Sequence, residues 1–216
     1  MKKPFDFNTI DDFDDHILKS IPNYDVLFDT ILSISQYFIT RNAIIYDLGC
    51  STGKLLKAIP YGNLKIGYDN ASLLPPEDEG RENELEFKSA DLSHQFEIKN
   101  ACVVYSIFTM QFLNRDDREA YCKTVYDGLN KGGAFLLCEK IYQEEGLLQE
   151  VLSFSHHDYK AKHFSSDEII TKERDLRYIM KPNTLQENID LLKSAGFQTI
   201  TPFWQSYNFV GVILVK

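Results

Sequence analysis

The stretch Ala43-Ile44-Ile45-Tyr46-Asp47-Leu48-Gly49-Cys50-Ser51-Thr52-Gly53-Lys54 constrains this chain more than any other. Ile44 and Ile45 are β-branched and apolar, suited to a strand covered on both faces. Gly49 and Gly53 carry no Cβ, so the turn after the strand can bend sharply and admit a ligand close to the backbone. Asp47 falls at the strand's end, where open α/β sheets place their ligands. A second acid, Asp69, closes the next apolar run, Leu64 to Tyr68. It lies about twenty residues past the glycine turn, where an acid holds a ribose diol. The stretch reads as a nucleoside site in a Rossmann-like crevice.

The spacing also selects among nucleotide sites. A P-loop needs four residues between its first glycine and the Gly-Lys pair, then Ser or Thr. Only Cys50, Ser51 and Thr52 separate Gly49 from Gly53-Lys54, and Leu55 follows. A dinucleotide fingerprint needs G-x-G-x-x-G, and Gly49-Cys50-Ser51-Thr52-Gly53 does not supply it. The turn therefore suits a cofactor without phosphates, of which S-adenosylmethionine is the commonest. A tight βα turn that binds nothing would leave the paired acids unexplained.

With 216 residues, 44% hydrophobic and 25% charged, the chain is expected to form one domain, residues 1–216, with a sizeable core. A net charge of −9 removes a general electrostatic grip on nucleic acid, so no direct nucleic-acid binding is expected. No apolar run is long enough to span a membrane, and Met1-Lys2-Lys3-Pro4 leads into acidic, polar sequence. A cytoplasmic protein without a membrane partner is the expectation. Cys50, Cys102, Cys122 and Cys138 lack metal-ligand spacing and read as reduced thiols. His156 and His157 are adjacent on a predicted helix and point about 100° apart, which suits two metal ligands poorly. No metal is expected.

In chain order, Asp11 is positioned to cap a short helix that Pro22 ends, and Tyr24 opens a second helix through about Phe38. Val26, Leu27, Ile31 and Ile34 recur there at helical spacing. Residues 5–40 are expected to lie as a helical lid over the crevice, with many of their apolar side chains packed on the sheet. A short helix, Lys54 to Ile59, is stopped by Pro60. Strands are predicted at Leu64–Asp69, Leu85–Ala90, Ala101–Ile107, Ala134–Glu139, Thr199–Trp204 and Phe209–Val215. Leu73 to Glu84, with Pro75-Pro76, reads as a loop. A helix from Asn114 or Asp116 to about Leu129 is predicted to stop at Asn130-Lys131-Gly132-Gly133. Further helices are predicted at Leu147 to about Lys160, Ser166 to about Met180, and Leu185 to Ala195, the last capped by Gly196. Alternating β and α with a terminal antiparallel hairpin gives an α/β fold, a seven-stranded mixed sheet with helices on both faces.

Several stretches go beyond the fold. They are Ile21-Pro22-Asn23-Tyr24, Tyr46-Asp47-Leu48-Gly49-Cys50-Ser51, Asp69-Asn70, Phe108-Thr109-Met110-Gln111-Phe112-Leu113, Leu129-Asn130-Lys131-Gly132-Gly133, His156-His157-Asp158 and Trp204-Gln205-Ser206-Tyr207-Asn208-Phe209. With these the chain resembles the carboxy-S-adenosyl-L-methionine synthase family, formerly described as tRNA (cmo5U34) methyltransferases, from about Phe13 to the C-terminus. The resemblance implies the class I methyltransferase fold, strand order 3-2-1-4-5-7-6. It implies conversion of S-adenosylmethionine and prephenate into carboxy-S-adenosylmethionine and phenylpyruvate, the product serving tRNA wobble-uridine modification. It also implies a homodimer.

Carried over by position, the resemblance puts Tyr24, Gly49, Cys50, Ser51, Asp69, Asn70, Asp91, Leu92 and Ile107 around the cofactor. It makes Tyr24 and Arg174 the catalytic candidates, with Arg174 also holding the new carboxylate. Such an arginine is physically sensible, because carboxylation adds a negative charge that a guanidinium grips through two parallel hydrogen bonds. Ile107 stands where the family has Asn, the region between Asp69 and Leu85 is shorter, and so is the helix after Arg174. Two other readings share the fold: a conventional methyltransferase for a small molecule or tRNA, and a non-catalytic protein that binds S-adenosylmethionine.

Overall fold

The computed structural model describes residues 13–70, 74, 84–94 and 96–216. Its strands are β1 (Ile44–Leu48), β2 (Lys65–Asp69), β3 (Leu85–Ser89), β4 (Ala101–Ile107), β5 (Leu129–Lys140), β6 (Thr199–Ser206) and β7 (Phe209–Val215). Its α-helices are α1 (Phe13–Ser20), α2 (Tyr24–Ser35), α3 (Lys54–Ala58), α4 (Arg118–Gly128), α5 (Gly146–Lys160), α6 (Ser166–Ile179) and α7 (Leu185–Ala195). The strands form one sheet in the order β3-β2-β1-β4-β5-β7-β6, as expected. β1 to β5 run parallel to their neighbours, and β7 lies antiparallel between β5 and β6.

Successive side chains of a strand point to opposite faces, and this builds two cores. On one face Ile45 of β1, Val103 and Tyr105 of β4, and Leu136 and Cys138 of β5 pack with Leu27 and Ile31 of α2 and Leu55 and Leu56 of α3. On the other, Tyr46, Val104, Phe135 and Leu137 pack with Tyr121 and Val125 of α4 and Leu192 of α7. Full burial of a side chain such as Ile45 or Leu27 contributes about 1.5–3 kcal/mol. In α6 and α7 the first turn is fixed by reciprocal caps, Ser165 with Glu168 and Thr184 with Glu187.

Some boundaries differ from the sequence reading. The helix before β5 ends at Gly128, within a residue of the expected Leu129, but β5 begins at Leu129 rather than at Ala134. Leu129 already pairs with Ala101, and the register then shifts so that Ala134 faces Val103. The intervening residues form a bulged entry to β5, and Gly132 and Gly133 there bond the backbone of Lys216. α2 stops at Ser35 rather than Phe38, and its Val26 is exposed, so its buried stripe is narrower than the spacing suggests. β6 runs on to Ser206. Asp11 and most of the predicted loop from Leu73 to Glu84 lie outside the described residues.

Arg118, the first residue of α4, is buried. Its Nη2 donates to the carbonyls of Gln111 at 3.3 Å, Leu113 at 3.0 Å and Lys181 at 2.6 Å. One guanidinium thus ties the segment after β4 to the segment after α6. Its charge also offsets buried Glu139 of β5, whose carboxyl burial pushes up to about 8. Arg118→Met should cost about 3–5 kcal/mol in urea unfolding, because it strands these carbonyls and the acid together. A loss below about 1 kcal/mol would show that the network is dispensable.

Candidate active site

A cavity of about 1510 Å³ opens at the carboxyl ends of the parallel strands. Its lining draws on the turn after β1, the ends of β2, β4 and β5, the segment after β3, and α1, α2, α5 and α6. Strand parity explains which side chains face it. Asp47 continues the face of Ile45, Ile107 that of Tyr105, and Lys140 that of Cys138; all three line the cavity. Glu139 belongs to the opposite face.

The turn is held from several sides. Gly49 has φ +82°, and a Cβ there would fall inside the side chain of Thr109. A Cβ on Gly53 would meet the ring of Phe87. The glycines therefore answer first to close packing within the protein. The Gly49 and Cys50 N–H groups both donate to the Tyr68 carbonyl, at 2.7 and 3.0 Å. Asp69 closes the arrangement, its Oδ2 accepting from Ser51 N–H and its Oδ1 from Asn70 N–H, each at 2.7 Å. Its remaining lone pairs are left for ligand hydroxyls. Ser51 Oγ is buried without a hydrogen-bond partner among the described residues, which fits a ligand that completes it. Asp91 sits at the exposed edge, and hydrogen bonds from Ser93 hold its carboxyl below the usual range, as an ionised acceptor.

Tyr24, Gly49, Cys50, Ser51, Asp69, Asn70, Asp91, Leu92 and Ile107 are all brought to this one cavity. Burial, with Asp47 adding to it, raises the Tyr24 phenol, so Tyr24 remains a hydrogen-bond donor. Burial also raises the Cys50 thiol, and a protonated thiol is a poor nucleophile. Arg174 departs from expectation. It is exposed on α6 and does not line the cavity of its own subunit. Glu173 and Arg177, one turn apart, do line it; a step of about 100° per residue carries Arg174 off that face.

Other lining residues were given no site role from the sequence, although Phe108 to Leu113 was singled out there. Phe108 adopts φ +59°, a conformation costing about 1–3 kcal/mol that clusters at functional sites. Its carbonyl accepts from Gln111 Nε2 at 3.3 Å, while Gln111 Oε1 accepts from Lys140 N–H at 2.7 Å. The Phe108–Leu113 segment thereby links the ends of β4 and β5. Lys140 was findable, since it ends β5 on the face of Cys138. Lys160, Lys172 and Arg177 lie on helices whose docking the sequence does not fix. His156 and His157 diverge as expected, to the Ser20 carbonyl and to Glu173, each at 2.8 Å.

Fold and site together define an S-adenosylmethionine-dependent transferase of the class I methyltransferase type. Human N-acetylserotonin methyltransferase in complex with SAM superposes over 89% of this chain with a TM-score of 0.60 and 15% identity. CalO1, a methyltransferase in calicheamicin biosynthesis solved with SAH, gives 0.57 and 13% over 89%. The chain spans about half the length of these solved structures, 52% and 54%. No protein-family model matches the chain.

Whole-length relatives make the assignment narrower: the chain belongs to the carboxy-S-adenosyl-L-methionine synthase family. The Staphylococcus epidermidis protein of that name is 36% identical over 218 residues, 96% of this chain and 94% of its own length. Those of Idiomarina loihiensis and Shewanella halifaxensis are 35% and 34% identical, each over 98% of this chain and 92% of their own length.

Asp47 gives the site a pH signature. Burial pushes its carboxyl up to about 8, and Asp69 adds to the shift. Between the ordinary carboxylate range of about 4 and this value the folded state holds the extra proton. Stability contributed this way falls as pH rises through that window. Glu139 acts with the same sign. Asp47→Asn should therefore lose Tm less steeply than the wild type between about pH 5 and pH 8 in ligand-free melts. Parallel curves would contradict the assignment.

Proposed function

We propose that the chain joins a carboxyl group from prephenate to the sulfonium methyl carbon of S-adenosylmethionine, giving carboxy-S-adenosylmethionine and phenylpyruvate for tRNA wobble-uridine modification. One observation carries this reading. Tyr24, Phe108, Thr109, Gln111 to Leu113 and His156-His157, all from stretches that carry the resemblance to this family, line the same cavity as the adenosyl turn. In the balanced reaction the methyl proton and the hydroxyl leaving the prephenate ring depart as water, and loss of the ring carboxyl leaves an aromatic product. The protein's part is to hold two small molecules together and exclude bulk water. Asp69 and Asp91 would accept from the adenosyl group, and Tyr24 would donate to the bound ligand. Loaded with its product, the site would hold carboxy-S-adenosylmethionine. The expected cellular location is the cytoplasm; no described helix is long and apolar enough to cross a membrane.

α1 would act as a lid within a single domain spanning residues 1–216. It buries no residue fully and is held by polar contacts, among them Thr52 with Asp14 and Tyr159 with the Leu18 carbonyl. Incubation with S-adenosylmethionine and prephenate, followed by mass spectrometry, should yield a carboxylated nucleoside and phenylpyruvate in equal amounts. Unchanged S-adenosylmethionine with no phenylpyruvate would sink the reading.

Arg174 fits this function by acting on a neighbouring subunit. Leu147, Val151 and Phe154 recur at helical spacing on α5 and are exposed, an apolar stripe suited to a homodimer. Arg174→Ala and Tyr24→Phe should each lower kcat/KM at least about tenfold, the loss of one hydrogen bond to a charged group of the ligand. Mixed after dissociation, the two weakened variants should recover part of the activity if Arg174 serves the opposite site. No recovery would confine it elsewhere. A second reading, conventional methyl transfer, is favoured by apolar Ile107 at the end of β4. It predicts methylation of an acceptor and indifference to Arg174→Ala.

A further inference from the structure

Beyond the glycine turn the cavity is walled by aromatic rings to which the cofactor site has so far given no task. Asp91 follows β3 and Asp69 ends β2, so the adenosyl group belongs over those strands. Neighbouring strands lie about 4.8 Å apart. In the order β3-β2-β1-β4-β5, the sulfur end of the same cofactor passes Gly49 and reaches the end of β4. Phe108 is the first residue after β4. Its ring centroid lies 6.4 Å from that of Tyr24 at an interplanar angle of 39°, and both residues line the cavity. Phe108 also packs at right angles to Phe209, 5.6 Å away.

The ring is aimed by the backbone that carries it. Phe108 is left-handed, a conformation that persists only where the surroundings over-determine it. Its N–H donates to the Cys138 carbonyl at 2.7 Å, and its carbonyl accepts from Gln111 Nε2 at 3.3 Å. The Gln111 amide is fixed in turn, its Oε1 accepting from Lys140 N–H at 2.7 Å. Gln111 is buried, and its own carbonyl accepts from Lys181 N–H at 2.9 Å and from Arg118. One buried amide thus spans the arch that presents the ring. The ionisable groups that β1 and β5 bring to the cavity are each pushed toward their neutral forms. Burial drives the Asp47 carboxyl up to about 8 and works against the Lys140 ammonium. The π faces remain to meet a cation. Such a face attracts a cation within about 6 Å of its centroid, more strongly away from water, and a neutral thioether gains nothing comparable.

We propose that Phe108, together with the ring of Tyr24, recognises the sulfonium cation of S-adenosylmethionine, and that Gln111 is the positioning residue that holds Phe108 in place for it. The wall selects the charged cofactor over its neutral thioether. The inference uses the S-adenosylmethionine site alone and stands whichever group is transferred.

The test titrates the full chain calorimetrically with three ligands: S-adenosylmethionine, S-adenosylhomocysteine, and sinefungin, whose ammonium stands where the sulfonium does. Phe108→Leu keeps an apolar side chain and removes the π face. It should lower the affinity of S-adenosylmethionine relative to S-adenosylhomocysteine at least threefold. The sinefungin ratio should fall with it, while S-adenosylhomocysteine affinity stays within twofold. Gln111→Met keeps the side-chain length, releases the Phe108 carbonyl, and should lower both ratios in the same direction. Where Gln111→Met does not fold, Gln111→Glu carries the same expectation, since it keeps the acceptor for Lys140 N–H and loses the donor to Phe108. A role in folding alone would lower Tm and leave the ratios unchanged. Unchanged ratios in Phe108→Leu overturn the wall, and unchanged ratios in the folded Gln111 variants overturn the positioning role. Equal losses for all three ligands would assign Phe108 to the adenosyl group and overturn the wall as well. Binding of none of them by the wild type would overturn the cofactor site itself.

Discussion

Two-residue alternation in the central strands governs what the crevice can hold. Ile45, Tyr105 and Cys138 commit one face of the sheet to α2 and α3, and the next residue of the same parity in each strand falls at the carboxyl edge. Those residues are Asp47, Ile107 and Lys140, an acid, an apolar group and a cation in adjacent strands. Shifting any one strand by a residue would exchange its crevice side chain for one now buried against α4 and α7. The chemistry of the site is in this sense a by-product of core packing, and the core holds it in register.

Legibility in the sequence followed the range of the interactions involved. β1, β4 and β7 were readable because a β-branched or continuous apolar run has few alternatives. α7 was readable because Gly196 marks its end locally; the structure adds the Thr184–Glu187 cap at its start. The bulged entry to β5 was not, because Gly132 and Gly133 carry a helix-stop signature while their actual partner is Lys216, at the far end of the chain. Tertiary pairing outranked a local signal there.

The adenosyl end of the site was legible for the same reason as the strands. Gly49 to Ser51 and Asp69 sit at fixed offsets from strand ends. The α6 side was not, because helix periodicity names a face without naming which face docks. Resemblance put Arg174 in the pocket by counting along the chain. The docked helix instead turns Lys172, Glu173 and Arg177 inward. The buried Arg118 and Glu139 were missed altogether; a charged residue in a sequence gives no sign that three distant carbonyls await it.

The interlock of Gly49 with Thr109 has an evolutionary corollary. The hydroxyl-bearing side chain from the loop after β4 occupies the volume where any larger residue at 49 would project. Enlarging position 49 demands shrinkage at 109 first, and even then a left-handed backbone penalises every replacement. The constraint runs one way: position 109 can shrink alone, whereas position 49 can grow only after it has.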